Sequence, residues 1–461
     1  MGALATLIDA DIEVIKAVIA EQFERKPKLI PPNYKALELG MNYVKAHHKY
    51  PLPLRLSKTD KVGDSILIDG NTACALGALY AGATVMAWYP ITPSTSVAKA
   101  FETYCKKLRV DPETGKKNYA FLQAEDELAA IGMVIGATWA GARAFTATSG
   151  PGVSLMNEFI GLSYFAEIPV VLINVQRGGP STGMPTRTQQ ADLISSAYAS
   201  HGDTKHPLLF PSSPAECFEL TAKAFDLADR LQTLIMVICD LDLGMNNHMS
   251  PPLQWEKGRQ YDRGKVLSSE DLENMKERFG RYRDVDGDAI PYRTYPGTHP
   301  TKGSYFTRGT SHDEYAKYTE LGEVYQENVD RLKTKWETAK GYMPKPEFYQ
   351  DKNKTEQYGL IFFGTTTYAA VEAMQLMKED GIIIDSMRIR SFPFTKEVED
   401  FIGAHEQIFV VEQNRDAQFR TLLVNELEVD PAKLIPVLNY DGMPITAQTI
   451  QEQISGREVM V

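Results

Sequence analysis

The chain has only four cysteines, Cys74, Cys105, Cys217 and Cys239, and no two of them stand at C-x-x-C spacing. Zinc ribbons and self-contained iron–sulfur sites cluster their ligands, so neither is expected here. Buried free thiols in a reducing compartment account for all four. Basic charge is also short: 49 Lys and Arg stand against 60 Asp and Glu, a net charge of -11. Such a surface repels nucleic-acid phosphates and anionic headgroups, so neither nucleic acid nor a membrane is an expected partner. No long unbroken apolar run is present. The nearest, Leu128 to Phe145, is interrupted by glycines and by Arg143. It reads as a buried helix and the strand after it. Asp9 and Asp11 lie where a secretory leader would be apolar, and no small-residue cleavage site follows. A cytoplasmic location is therefore expected. Low-complexity tracts and short repeats are absent as well.

What is present suffices for two or three cores, with 461 residues and 43% hydrophobic content. Residues 1–56 form a helical N-terminal segment. Apolar residues recur at helical spacing from Ile12 to Phe23, Pro27, Pro31 and Pro32 should break that run, and a second helix spans Tyr34 to Val44. Residues 57–248 alternate strand and helix. Strands are expected at Ser65–Ile68, Thr84–Trp88, Tyr119–Leu122, Arg143–Ala147, Pro169–Asn174 and Leu234–Cys239, and helices at Asn71–Tyr80, Glu125–Ala140 and Val153–Phe165. The near-continuous apolar strands indicate a parallel sheet covered on both faces. Residues 249–350 turn to Pro, Tyr, Gly and charge, which suggests an extended arm followed by an amphipathic helix from Ser311 to Lys340. Residues 351–461 resume β/α alternation as a smaller domain, with strands at Leu360–Phe363, Ile382–Asp385 and Ile408–Glu412.

Open α/β sheets bind ligands in the loops after their strands. Four such loops carry unusual residues. In Tyr89-Pro90-Ile91-Thr92-Pro93-Ser94-Thr95, two prolines stiffen a turn that delivers hydroxyls to a helix start. The first reading is an ordinary N-cap by Ser94 or Thr95, the second a placed hydroxyl beside free N–H groups. In Gln123-Ala124-Glu125-Asp126-Glu127, the helix dipole explains Glu125 and Asp126. Glu127 lies deeper, before a face of Ala and Gly, where a desolvated carboxylate could share a proton with a ring nitrogen. Thr146-Ala147-Thr148-Ser149-Gly150-Pro151-Gly152 lacks the Gly-Lys-Ser/Thr of a P-loop and suits a tight turn with Gly at positive φ. Arg177 follows an apolar strand in Gln176-Arg177-Gly178-Gly179-Pro180-Ser181-Thr182-Gly183. It could fork onto a ligand carboxylate, or pair structurally with an acid such as Asp192.

Taken in order, Y-P-I-T-P-S-T, Q-A-E-D-E-L-A-A-I-G, A-T-S-G-P-G and V-Q-R-G-G-P-S-T-G-M-P-T resemble the alpha subunit of 2-oxoacid:ferredoxin oxidoreductases, the 2-oxoglutarate type above all. The likeness continues through His201-Gly202-Asp203, the arm, and Val411 to Asp416, and covers residues 64–461. It implies a pyrimidine-binding-type parallel-sheet domain and a smaller α/β domain like the transketolase C-terminal one. It further implies thiamine diphosphate chemistry: a 2-oxoacid loses carbon dioxide, electrons pass singly through an iron–sulfur cluster to ferredoxin, and the acyl group ends on coenzyme A. Glu127 then corresponds to the carboxylate on the aminopyrimidine, with Glu125 as the alternative register. Thr92 and Arg177 correspond to groups on the substrate's 2-oxo and carboxylate oxygens, and Tyr89, Pro90, Ile91, Ser149 and Gly150 to cofactor-binding residues.

The magnesium–diphosphate signature of thiamine enzymes, Gly-Asp-Gly with a downstream Asn pair, is missing. Asp286-Gly287-Asp288 has the wrong order. The resemblance therefore assigns Mg2+ and the iron–sulfur cluster to a beta subunit, in an α2β2 assembly with the cofactor shared across the interface. Relatives with a fused gamma domain carry it before residue 64. Residues 1–55 resemble only its last helices, which leaves a separate gamma subunit as one expectation. Two other classes compete: half of a transketolase-like transferase, and a non-catalytic docking subunit.

Overall fold

The computed structural model describes residues 1–56, 59–349 and 355–456. Boundaries expected at 57 and 350 fall on residues outside that description. The chain forms two compact units, Met1–Ser65 and Ile66–Val461.

In the first unit, helices span Gly2–Leu7, Ile12–Gln22 and Ile30–His47. The first run ends at Gln22, before Pro27, as the sequence suggested; Pro31 and Pro32 open the next helix, in the first turn of Ile30–His47, where no N–H partner is lost. Gly2 lets the first helix meet the third, since a methyl group there would lie 1.9 Å from the Leu37 carbonyl oxygen.

The second unit holds two main sheets. The larger has seven strands in the order Ser391–Phe392, Leu208–Leu209, Leu234–Asp240, Val170–Gln176, Ala144–Thr148, Val85–Trp88 and Ala120–Gln123. Six run parallel; Ser391–Phe392 alone is antiparallel. Every residue of Val170–Gln176 and Leu234–Asp240 is buried, as expected of central strands covered on both faces. One face packs under the helices Gly70–Tyr80, Thr95–Leu108 and Pro214–Leu231, around Cys74, Phe101, Phe145 and Phe218. The other packs under Glu127–Trp139 and Gly150–Phe165 and runs on into the second sheet through Phe210, Phe363, Phe392 and Phe419. All four cysteines are buried and free.

The second sheet orders Leu434–Leu438, Gln407–Glu412, Tyr358–Phe363, Asp385–Ile389 and Glu347–Tyr349, parallel except for the last. The third strand of this domain begins where the sequence expectation ended. Ile382–Ile384 is a connector, and the strand is Asp385–Ile389. Its polar residues hid it: Arg388 is buried and grips Glu216 of the first domain with two bonds of 2.6 and 2.8 Å. The arm helix is also shorter than expected, Gly322–Lys340 rather than Ser311–Lys340. Asp313 accepts from the Tyr315 and Lys317 N–H groups, which folds residues 312–318 into a bridged turn.

Candidate active site

Four neighbouring parallel strands, Val170–Gln176, Ala144–Thr148, Val85–Trp88 and Ala120–Gln123, end on one edge of the large sheet. The four unusual loops are the continuations of those strands, so topology alone places them side by side.

Glu127 opens the helix Glu127–Trp139 and is 7% exposed. Among the described residues its carboxylate has no hydrogen-bond or ionic partner. Asp126, not Glu127, caps the helix by accepting from the Ala129 N–H at 2.6 Å. Glu125 precedes the cap and faces solvent. The two registers left open by the sequence thus differ sharply in environment. Gly152 explains how Glu127 is seated. A methyl group there would stand 3.0 Å from Glu127 Cγ and 1.9 Å from Thr148 Oγ1. Neither Gly150 nor Gly152 has a positive φ, contrary to expectation. These glycines serve close approach, not turn geometry.

Thr92 and Arg177 meet directly: Arg177 Nη1 donates to the Thr92 carbonyl oxygen at 2.7 Å. The Thr92 residue is exposed and Arg177 is buried, with its Nε lacking a partner. No ion pair joins Arg177 to Asp192, so the structural pairing weighed from sequence does not form. Ser94 makes no side-chain cap either; its hydroxyl, like that of Thr95, donates back to the Ile91 carbonyl, and Thr95 Oγ1 accepts the Ile91 N–H. Tyr89 and Ile91 are half-buried and Pro90 is exposed. Ser149 is fully buried with an unpartnered hydroxyl, as is Thr148.

A cavity of about 880 Å3 opens between the two domains of this unit. It collects Gly150, Arg177 and Asp192 from the first, and Asn414, Arg415, Gln418 and Tyr440 from the second. Glu127 and Thr92 lie outside its lining; Arg177 is the link, bonded to Thr92 and open to the cavity. Reading along the chain missed three contributors. Asn71 anchors the first loop by donating to the Pro93 carbonyl at 2.9 Å and to Ser96 Oγ at 2.7 Å. Asn174, an amide inside the apolar strand Val170–Gln176, donates to Asp192 at 3.3 Å. Gln190 ties the edge of the first domain to Thr365 and Gln413 of the second. An amide inside an apolar run was the available signal for Asn174.

Buried polar atoms without partners normally mark the place of a ligand or a water. Here Thr148 Oγ1, Ser149 Oγ and Arg177 Nε are such atoms at one sheet edge, with the unpaired Glu127 beside them. An aminopyrimidine ring, with its protonatable nitrogen and amino group, fits a partnerless buried carboxylate beside glycine; the residues suit thiamine diphosphate. Fold and site together define a thiamine-diphosphate-binding α/β subunit. Residues 76–331 match the family described as "Pyruvate flavodoxin/ferredoxin oxidoreductase, thiamine diP-bdg". The alpha subunit of 2-oxoacid:ferredoxin oxidoreductase 2 of Aeropyrum pernix is 31% identical over 96% of this chain and 69% of its own length. The Saccharolobus solfataricus alpha subunit is 32% identical, and this chain spans 65% of it. The 2-oxoglutarate synthase subunit KorA of Methanothermobacter thermautotrophicus is 34% identical over 77% of this chain and 89% of its own. A solved 2-oxoglutarate:ferredoxin oxidoreductase from Magnetococcus marinus superposes with a TM-score of 0.84 at 27% identity, over 99% of this chain and 76% of that one. The chain belongs to the 2-oxoacid:ferredoxin oxidoreductase family as an alpha subunit of the 2-oxoglutarate-synthase-like kind. Relatives named alpha subunits imply a companion subunit. No helix among the described residues is long and apolar enough to cross a membrane.

Proposed function

We propose that this alpha subunit, with a beta subunit, catalyses the coenzyme-A-dependent oxidative decarboxylation of a 2-oxoacid, with 2-oxoglutarate going to succinyl-CoA, or the reverse. In the forward sense a 2-oxoacid and coenzyme A give acyl-CoA and carbon dioxide, and two electrons leave one at a time to ferredoxin. The beta subunit brings Mg2+ and the iron–sulfur cluster, in an α2β2 cytoplasmic assembly. Residues 57–248 act as the pyrimidine-binding domain and 351–461 as the smaller α/β domain. The observation that carries this reading is the buried, partnerless Glu127 on the same sheet edge as the bonded pair Thr92 and Arg177. The solved relative with 2-oxoglutarate, coenzyme A and succinyl-CoA bound supports the substrate class.

Thiamine diphosphate supplies the carbon nucleophile that adds to the 2-oxo group and stores the resulting electrons. The chain's own residues do the rest. Glu127 holds the proton exchanged with the aminopyrimidine nitrogen; its burial keeps water from competing for that proton. Tyr89, Pro90, Ile91, Ser149 and Gly150 line the pyrimidine side. The Thr92 hydroxyl orients the 2-oxo oxygen. Arg177 receives the carboxylate in a low-dielectric setting where a charged hydrogen bond is strong.

The test is co-expression with the thiamine-signature partner subunit and an assay with 2-oxoglutarate, pyruvate and coenzyme A, using a viologen dye as acceptor. Dye reduction that requires both chains, coenzyme A and one 2-oxoacid is the expected result. A stable complex that reduces no dye but transfers a ketol group would replace this reading with a transferase.

A further inference from the structure

The cavity contains a second ionisable group with no task in the scheme above. Asp192 stands just before the short helix Leu193–Ala197 and lines the same cavity as Arg177. Its carboxylate lies flat against Gly150: a methyl group on that glycine would come within 2.7 and 2.8 Å of the two oxygens. A larger residue at 150 would push the carboxylate aside. Asn174 donates to it at a long 3.3 Å, and its own N–H is taken by Gln176 Oε1 at 2.9 Å. Strand Val170–Gln176 thus fixes the residue in place without saturating the carboxylate. Arg177 makes no ion pair with it; its Nη1 donates to the Thr92 carbonyl.

The charged groups around Asp192 are few. Arg177, just past the end of its supporting strand, is near enough to act on it electrostatically. Across the cavity the second domain contributes Arg415, paired with Asp416 at 2.7 Å. Helix Leu193–Ala197 carries no charge, and Glu158, the one charge on Gly150–Phe165, borders a different cavity. Glu127 lies beyond Gly152.

We propose that Asp192 is a substrate-positioning residue that takes up a proton when the 2-oxoacid carboxylate enters beside Arg177, and then donates a hydrogen bond to that carboxylate. This rests on the functional reading above. The physical reason is simple. An incoming carboxylate and an ionised Asp192 repel each other at close range where water is scarce. One proton from solvent removes the repulsion and converts an acceptor-only group into a donor. Arg177 and the neutral acid then hold the carboxylate from two sides. When the carboxylate has left as carbon dioxide, the proton returns to solvent, so the balance closes over a cycle. Burial already pushes Asp192 up to about 6, against the opposing Asn174 hydrogen bond and Arg177 charge, so the proton is within reach near neutrality.

The experiment uses the assembled alpha–beta complex, with 2-oxoglutarate and pyruvate as probes. Wild-type KM for the 2-oxoacid should rise above pH 6, approaching tenfold per pH unit. Asp192→Asn mimics the neutral acid and should give a KM at pH 8 close to the wild-type value at pH 6, flat between them. Calorimetric titration in buffers of unlike ionisation heat should show proton uptake on substrate binding by the wild type and none by Asp192→Asn. A purely structural role would instead raise KM equally at every pH. Parallel pH profiles for the two proteins, or wild-type binding without proton uptake, would overturn the proposal while leaving the oxidoreductase reading intact. Should Asp192→Asn fail to fold, the wild-type calorimetry decides alone. Failure of every 2-oxoacid to bind or turn over would remove both readings together.

Discussion

Two buried glutamates in the same domain make a useful contrast. Glu167 is fully enclosed, and its carboxylate receives Arg331 at 2.5 Å and Lys335 at 2.7 Å. Those cations hold it well below the ordinary carboxylate range, despite its burial. Glu127 is almost as deeply placed and has no partner among the described residues. The first glutamate ties the arm helix Gly322–Lys340 to the sheet domain, with both carboxylate oxygens engaged by cations. The second leaves its valences open. A buried charge that is saturated builds structure, and one left unsaturated awaits something from outside the chain.

The sharpest way to break this contrast is Glu127→Gln. Turnover of the assembled complex should fall by about 10²–10⁴-fold, the usual worth of a positioned proton-transfer group, while the melting temperature stays within a degree or two of wild type. Near-normal turnover would move the cofactor carboxylate to Glu125. Glu167→Gln should behave in the opposite sense. It strands Arg331 and Lys335 in the interior and should cost about 3–5 kcal/mol in denaturant unfolding, with the folded fraction still active. Equal stability of the two variants would refute the contrast. Arg177→Ala should raise the apparent 2-oxoacid constant about tenfold or more, since a charged hydrogen bond is worth about 1.5–3 kcal/mol, with a smaller change in kcat. An unchanged constant in steady-state kinetics would remove the substrate role.

The smallest effect concerns pH. Glu412 sits fully buried at the seam between the domains, accepting from the Phe419 and Arg420 N–H groups and from Asn414. Burial outweighs these bonds and pushes it up to about 7. Its folded value therefore lies above its unfolded one. As pH rises from about 4.5 to 7, the unfolded chain sheds this proton first, and stability falls; above 7 the loss is complete. The slope contributed by this group, on the order of 1 kcal/mol per pH unit, should vanish in Glu412→Gln when unfolding is followed across pH 5–8. An identical slope in the variant would mean that Asp240, pushed up to about 6 in the same seam, carries it instead.

Much of this was readable along the chain because parallel strands buried on both faces are written as apolar runs, as in Val170–Val175 and Leu234–Cys239. The fourth loop was readable for the same reason, since it follows Val170–Gln176; the others stood out by their own Pro, Gly and acidic residues. What stayed hidden depends on partners distant in sequence. Asp385–Ile389 does not look like a strand until Glu216 is seen gripping Arg388. Residues 311–321 carry helix-like patterning, but local bonds from Asp313 claim the backbone first. Glu125 and Glu127 are indistinguishable as letters two places apart; the cap at Asp126 separates them, leaving one in water and the other against Gly152. Asp192 looked like a counter-ion for Arg177, because nothing linear reveals that Arg177 spends its Nη1 on Thr92.

The strand Ala120–Gln123 closes the large sheet, and among the described residues its outer side pairs with no other strand. Leu122 on it and Met133 and Leu155 on the nearby helices are exposed. An uncovered, partly apolar border of this kind is a template for sheet growth. The chain's production is thereby tied to stoichiometry: synthesised alone, it should accumulate as concentration-dependent aggregates visible in light scattering, and a cell gains by making it in step with whatever covers that border.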